Sequence, residues 1–242
     1  MNERSRHFLP LVVTLVVLGL LGLFVSRVVS VYLHFEGGGV QETPNLSFED
    51  ALTTSPRLAQ IVQSIDPLQA RNVTTDDDPS IGNPDAKLTI VEFADFGCPY
   101  SRQASFAIRA LALTYADRVQ YIYRDFPILE LHPDAQMASE AGECAREEGD
   151  DKFWAYHDTL YQHQDDLSRL ALREYARSVG LNVTKFDQCL SAGRYRSEVL
   201  QDLQDGLDAG VGGTPTFFFN GQRVSGSIPL ETLRLIVEAY LE

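Results

Sequence analysis

Cysteine is scarce in this chain: three occur in 242 residues, Cys98, Cys144 and Cys189, and no two form a Cys-x-x-Cys pair. There is no His-x-x-x-His pair either, so the close ligand spacing of a structural zinc site is missing. His132, His157 and His163 are therefore not read as metal ligands, and His157, on an aromatic helix, is read as packed or on the surface. A glycine-rich phosphate loop and a Gly-x-Ser-x-Gly nucleophile elbow are also absent. No resident cofactor or metal is expected. Basic residues are in deficit, 20 Lys and Arg against 34 Asp and Glu, for a net charge of −14. That balance excludes the basic face nucleic-acid binding requires and is read as serving solubility. No alanine precedes Ala51, so the N-terminal region has no Ala-x-Ala cleavage site; Val28-x-Ser30 is the nearest approximation. Internal repeats and low-complexity tracts are missing too.

Apolar residues make up 44% of the chain, enough for a substantial core. Residues 8–26 are almost wholly apolar, close to the roughly 20 residues a transmembrane helix needs. Arg27 can snorkel, and 28–35 extend the run toward the far interface. Arg4 and Arg6 precede it, which leaves the N-terminus in the cytoplasm and exports the rest. Residues 1–36 are thus read as a cytoplasmic tip and an uncleaved single-pass membrane anchor. Residues 37–80, opening on Gly37-Gly38-Gly39, are read as an extracytoplasmic linker with short helices near 47–50 and 57–65. Residues 81–242 form the folded domain.

Within that domain, 81–86 are a turn-rich lead-in. Residues 87–94 are nearly continuous apolar residues, the mark of a central strand covered on both faces, interrupted by Glu92. A helix follows to about Tyr115, with Phe106, Ile108, Leu111 and Leu113 as expected core contacts. A second strand covers 119–124. Residues 131–210 read as helical throughout. Thr214 to Phe219 is a strand, Asn220-Gly221 signals a type I′ hairpin, and a final amphipathic helix covers 229–241. The order strand, helix, strand, helices, hairpin, helix is an α/β pattern.

Cys98-Pro99-Tyr100-Ser101 sits at the first strand-to-helix junction. A cysteine there meets unpaired N–H groups and the positive end of the helix dipole, which favour a charged sulfur. Pro99 suits a first helical position, where its missing N–H costs nothing. The three cysteines allow one disulfide in three pairings; if Cys98 is the reactive thiol, Cys144 and Cys189 are the structural pair.

The stretch resembles the active site of the thioredoxin superfamily, most closely its DsbA-like branch, whose motif is Cys-Pro-X-Cys. Ser101 stands where the second cysteine belongs. Gly212-Gly213-Thr214-Pro215-Thr216 looks like the loop such proteins place beside the reactive cysteine, with a cis bond before the proline. The resemblance implies a thioredoxin-like fold whose helical insertion spans about 131–210. It implies a catalytic Cys98 facing solvent beside the loop at 215; Ser101, where the family has its second cysteine, is read from its hydroxyl as a hydrogen-bond donor to the Cys98 thiolate. Glu92, six positions before the cysteine, would assist proton transfer. Pro99, Tyr100, Thr214 and Pro215 would hold substrate. A lone thiol forms mixed disulfides and cannot close an internal one, so isomerisation or reduction is implied. The implied partners are exported protein thiols and disulfides, or a small thiol such as glutathione. Two other readings stay open. The kappa-class glutathione transferases carry a similar Ser-Pro-Tyr-Ser stretch, and a redox-silent binding factor would keep the fold and its groove.

Overall fold

The computed structural model describes residue 27 and residues 71–241. The proposed anchor at 8–26 and the short helices near 47–50 and 57–65 lie outside the described residues. Among the described residues, no helix is long and apolar enough to cross a membrane.

The elements run β1 (Ser80–Gly82), β2 (Leu88–Ala94), α1 (Pro99–Thr114), β3 (Val119–Asp125), α2 (Ala135–Arg146), α3 (Asp150–Gln162), α4 (Arg169–Ser178), α5 (Val183–Ala192), α6 (Arg196–Asp208), β4 (Thr216–Phe219), β5 (Gln222–Ser225) and α7 (Leu230–Leu241). They form a five-stranded sheet of order β1-β3-β2-β4-β5. The β2–β3 pair is parallel, with α1 as its crossover, and the other pairs are antiparallel. The helical block α2 to α6 sits between β3 and β4, as the sequence pattern predicts.

The sheet is buried on both faces because β2 alternates its side chains between two cores. Leu88, Ile90 and Ala94 join Tyr121, Tyr123, Phe217 and Phe219 in the larger core, with α1, α7 and the helical block. Val91 and Phe93 join Ile122, Phe126 and Phe218 on the other face, under Ala209 and Val211. A strand covered on both sides reads as a continuous apolar run, and β2 does. Asn220 (φ 47°) and Gly221 (φ 81°) both adopt positive φ, the conformation a type I′ hairpin turn requires.

Two expectations are corrected. Residues 80–82 are a short antiparallel edge strand on β3, where the sequence suggests only a turn; three residues ending in a glycine carry no legible alternation. On α1 the buried stripe is Ser101, Ala104, Ser105, Ile108, Leu111 and Ala112. Phe106 and Leu113, seven apart and so on one face, lie outside it and are 41% and 56% exposed. The segment before β1 is held on the domain as well. Val73 is buried, and its carbonyl accepts from Nη1 of Arg124 at 3.2 Å.

Candidate active site

Cys98 is the N-cap of α1, with extended backbone (φ −80°, ψ 120°), and Pro99 opens the first turn. The Cys98 carbonyl accepts the Arg102 N–H at 3.1 Å, the first bond of the helix. The Cys98 thiol donates to the Thr214 carbonyl at 3.3 Å, across 116 positions of sequence. The Thr214–Pro215 peptide is cis. The structure thus brings together the two motifs that the sequence leaves far apart. The expectation of an open thiol is corrected: Cys98 is only 6% exposed, because the Thr214 loop packs over the start of α1.

Tyr100, 62% exposed, lies at the rim of a groove of about 650 Å³. Thr214, Ser227, Ile228, Pro229 and Leu230 line it beside Tyr100, and Thr214 is also the residue whose carbonyl takes the Cys98 thiol. Pro99 is exposed and Pro215 is buried. The Thr214 hydroxyl is buried without a hydrogen-bond partner.

Ser101 is fully buried, and its oxygen accepts the Asp95 N–H at 3.4 Å. This bond ties the first turn of α1 to the end of β2.

Glu92 follows Ile90 on β2, so the strand's period of two drives its carboxyl into the larger core. It is fully buried, and Oε2 accepts the Tyr121 hydroxyl at 2.6 Å. Oε1 has no partner. Burial raises its pKa from an ordinary 4.5 to about 8, against the lowering effect of the Tyr121 bond. The side chain is therefore a neutral acid at pH 7, and not a solvated carboxylate.

Sequence reasoning missed Asp95 and Gln164. Asp95 Oδ1 accepts the Gly97 N–H at 2.7 Å, and Oδ2 accepts the Ile128 N–H at 2.8 Å and lies 2.8 Å from His132 Nδ1. Gln164 donates from Nε2 to the carbonyls of Phe96 (2.6 Å) and Cys98 (2.9 Å). Asp95, a polar residue directly after an apolar strand and three before the cysteine, was the available signal for the first. Gln164 has no local signal, since only the tertiary fold brings it to residue 98.

Cys144 on α2 and Cys189 on α5 form a disulfide with Cα atoms 5.9 Å apart, and both are buried within the helical block. Cys98 is the free cysteine. His157 is packed among Phe96, Tyr123, Phe153, Trp154 and Tyr161, and burial lowers its pKa. Among the described residues, no group of three or more His, Cys, Asp or Glu side chains is arranged to hold a metal. A second polar centre is buried behind β3. There Arg124, 2% exposed at its side chain, pairs with Asp78 at 3.1 Å, with Asp205 at 2.7 Å and with Asp202.

A thioredoxin family model matches residues 74–239. The chain belongs to the thioredoxin family. Its fold is that of the DsbA-like branch. A thioredoxin-like oxidoreductase of Silicibacter pomeroyi superposes with a TM-score of 0.62 at 26% identity, covering 70% of this chain and 96% of that one. The thiol-disulfide exchange protein alpha-DsbA2 of Wolbachia pipientis superposes with a TM-score of 0.61 at 20% identity, covering 76% and 98%. By sequence, the Na(+)/H(+) antiporter NhaA 3 of Salinispora tropica is 41% identical over 165 residues. That match covers 68% of this chain and 25% of the antiporter, so the chain spans about a quarter of the curated relatives it matches.

Against this DsbA-like fold, the departure at residue 101 stands out. The helix carries its cysteine at the N-cap and a buried serine one turn on.

Proposed function

We propose that the chain is a thiol-disulfide oxidoreductase that works by exchange through Cys98 alone. The contact of the Cys98 thiol with the carbonyl of Thr214, a residue that also lines an apolar groove, is the observation that supports this best. The attacking species is the Cys98 thiolate. That thiolate attacks one sulfur of a substrate disulfide, forming a Cys98–substrate disulfide and releasing the other sulfur as a thiolate. A second thiol, from the substrate or a small molecule such as glutathione, then attacks the mixed disulfide and restores Cys98. The second thiol ends in a disulfide with the substrate sulfur, so the number of disulfides is unchanged: a thiol of the same substrate gives isomerisation, whereas a small thiol leaves a mixed disulfide that a second small thiol reduces.

In this reading the backbone of Thr214 and Pro215, with Tyr100 and Pro99, holds an extended segment of substrate along the groove. Glu92, neutral and with one oxygen unpartnered, serves as the buried proton store for the leaving thiolate. Ser101 contributes by fixing the first turn of α1. The buried Cys144–Cys189 disulfide fits an oxidising, extracytoplasmic compartment. Residues 8–26 would tether the domain to the membrane as a single-pass anchor, with the N-terminus inside.

The deciding variant is Cys98→Ala. It is expected to abolish turnover of a model disulfide substrate and to leave the fold intact; an unchanged rate removes the thiol from the mechanism. That outcome would favour a binding role for the groove.

A further inference from the structure

The turn that presents Cys98 is fastened from two sides. Asp95 supplies one: its side chain takes the Gly97 N–H at 2.7 Å, and its carbonyl takes the Cys98 N–H at 2.9 Å. His132 backs this side, because a Cβ at Gly97 would lie 2.4 Å from the His132 Cβ. The helical block supplies the other. Gln164, just beyond α3, places one amide nitrogen 2.6 Å from the Phe96 carbonyl and 2.9 Å from the Cys98 carbonyl. The Cys98 carbonyl is also the acceptor that starts α1, so Gln164 grips the chain where the helix begins.

We propose that Gln164 is a positioning residue for Cys98, holding the carbonyls on both sides of Gly97 so that the sulfur stays aimed at the Thr214 loop. This rests on the reading of Cys98 as the exchanging thiol. The chemistry of residue 164 is constrained. Both acceptors are carbonyl oxygens, so the site needs two N–H donors on one nitrogen, as a primary amide provides. A carboxylate there would set lone pairs against lone pairs. A methionine would fill similar space with no donor. The contact also joins the helical block to the reactive turn by a polar link rather than by packing alone.

The test uses the full chain with Q164M and Q164E. The probe is 4,4′-dithiodipyridine: the Cys98 thiolate forms a mixed disulfide and expels one 4-thiopyridone, read by its absorbance from pH 3.5 to 9. Two modest hydrogen bonds are at stake, so Q164M is expected to react about tenfold more slowly than wild type. Its circular dichroism and Cys144–Cys189 disulfide should be unchanged. Q164E should be equally slow at neutral pH. It should regain rate relative to Q164M as pH falls through the carboxyl range, where the protonated acid recovers one donor. A purely structural role would not produce that pH-dependent ratio. Variants that match wild type, or a ratio that is flat with pH, overturn the proposal. If Q164M does not fold, the pH profile of Q164E relative to wild type decides in the same way. A wild-type chain unreactive at Cys98 removes the exchange reading itself, whereas a reactive wild type with indifferent variants removes only the role of Gln164.

Discussion

Replacing Glu92 by Gln isolates what a buried neutral acid does to stability. The folded chain holds the Glu92 proton up to about pH 8, while the unfolded chain releases it near 4.5. Between those values folding takes up a proton, so this contribution is fully present below 4.5 and is lost as pH rises toward 8. The slope approaches about 1.4 kcal/mol per pH unit, which makes about 3 kcal/mol between pH 5 and 7.5. Gln keeps an acceptor for the Tyr121 hydroxyl and cannot titrate. Its amide nitrogen, in place of the unpartnered Oε1, adds a cost that is the same at every pH. Other buried acids with raised pKa values, Asp78 among them, slope in the same direction in both proteins, so the difference between the two curves is the quantity to read. Chemical and thermal denaturation at half-unit steps should show the Gln variant gaining on wild type as pH rises. The gain in melting temperature would be about 6–12 °C over the interval, at the ratio expected for a domain of this size. Parallel curves would refute the reasoning, since they would mean that Glu92 titrates alike in the folded and unfolded chains.

Two further outcomes follow from the same geometry. Ser101→Cys places a second sulfur three residues after Cys98 in the first turn of α1, and should yield a 98–101 disulfide and net dithiol-oxidase activity; mass spectrometry that finds no such bond under oxidising conditions contradicts the placement of residue 101. Replacing both Cys144 and Cys189 by Ala opens a crosslink between positions 45 apart, and should lower stability by about 4 kcal/mol without removing the reactivity of Cys98. Loss of that reactivity in a folded variant would show that the helical block's disulfide takes part in the chemistry.

What could be read in advance divides along physical lines. The run at 88–94 is legible as a doubly covered strand because every residue but Thr89 and Glu92 is apolar. The Asn220-Gly221 turn was legible because few residue pairs accept two positive φ angles. The junction at Cys98 and the Thr214-Pro215 loop were each ordinary alone and informative as a pair, and the 3.3 Å contact joins them. Phe106 is apolar but lies off the helical phase that α1 buries, so its residue type alone points the wrong way. Arg124 was hidden for the opposite reason: a charge within a strand reads as solvent-facing, and its burial depends on Asp78 and Asp202, 46 and 78 positions away. Gln164 likewise has meaning only once α3 has docked against the active-site turn.

Single-cysteine exchange is tested most directly by trapping. The full chain, incubated with oxidised glutathione and quenched in acid, should gain the mass of one glutathionyl group, and peptide mapping should place it on Cys98. Cys98→Ala should gain none. A wild-type chain that stays unmodified, or one that carries the adduct on Cys144 or Cys189, would contradict the mechanism.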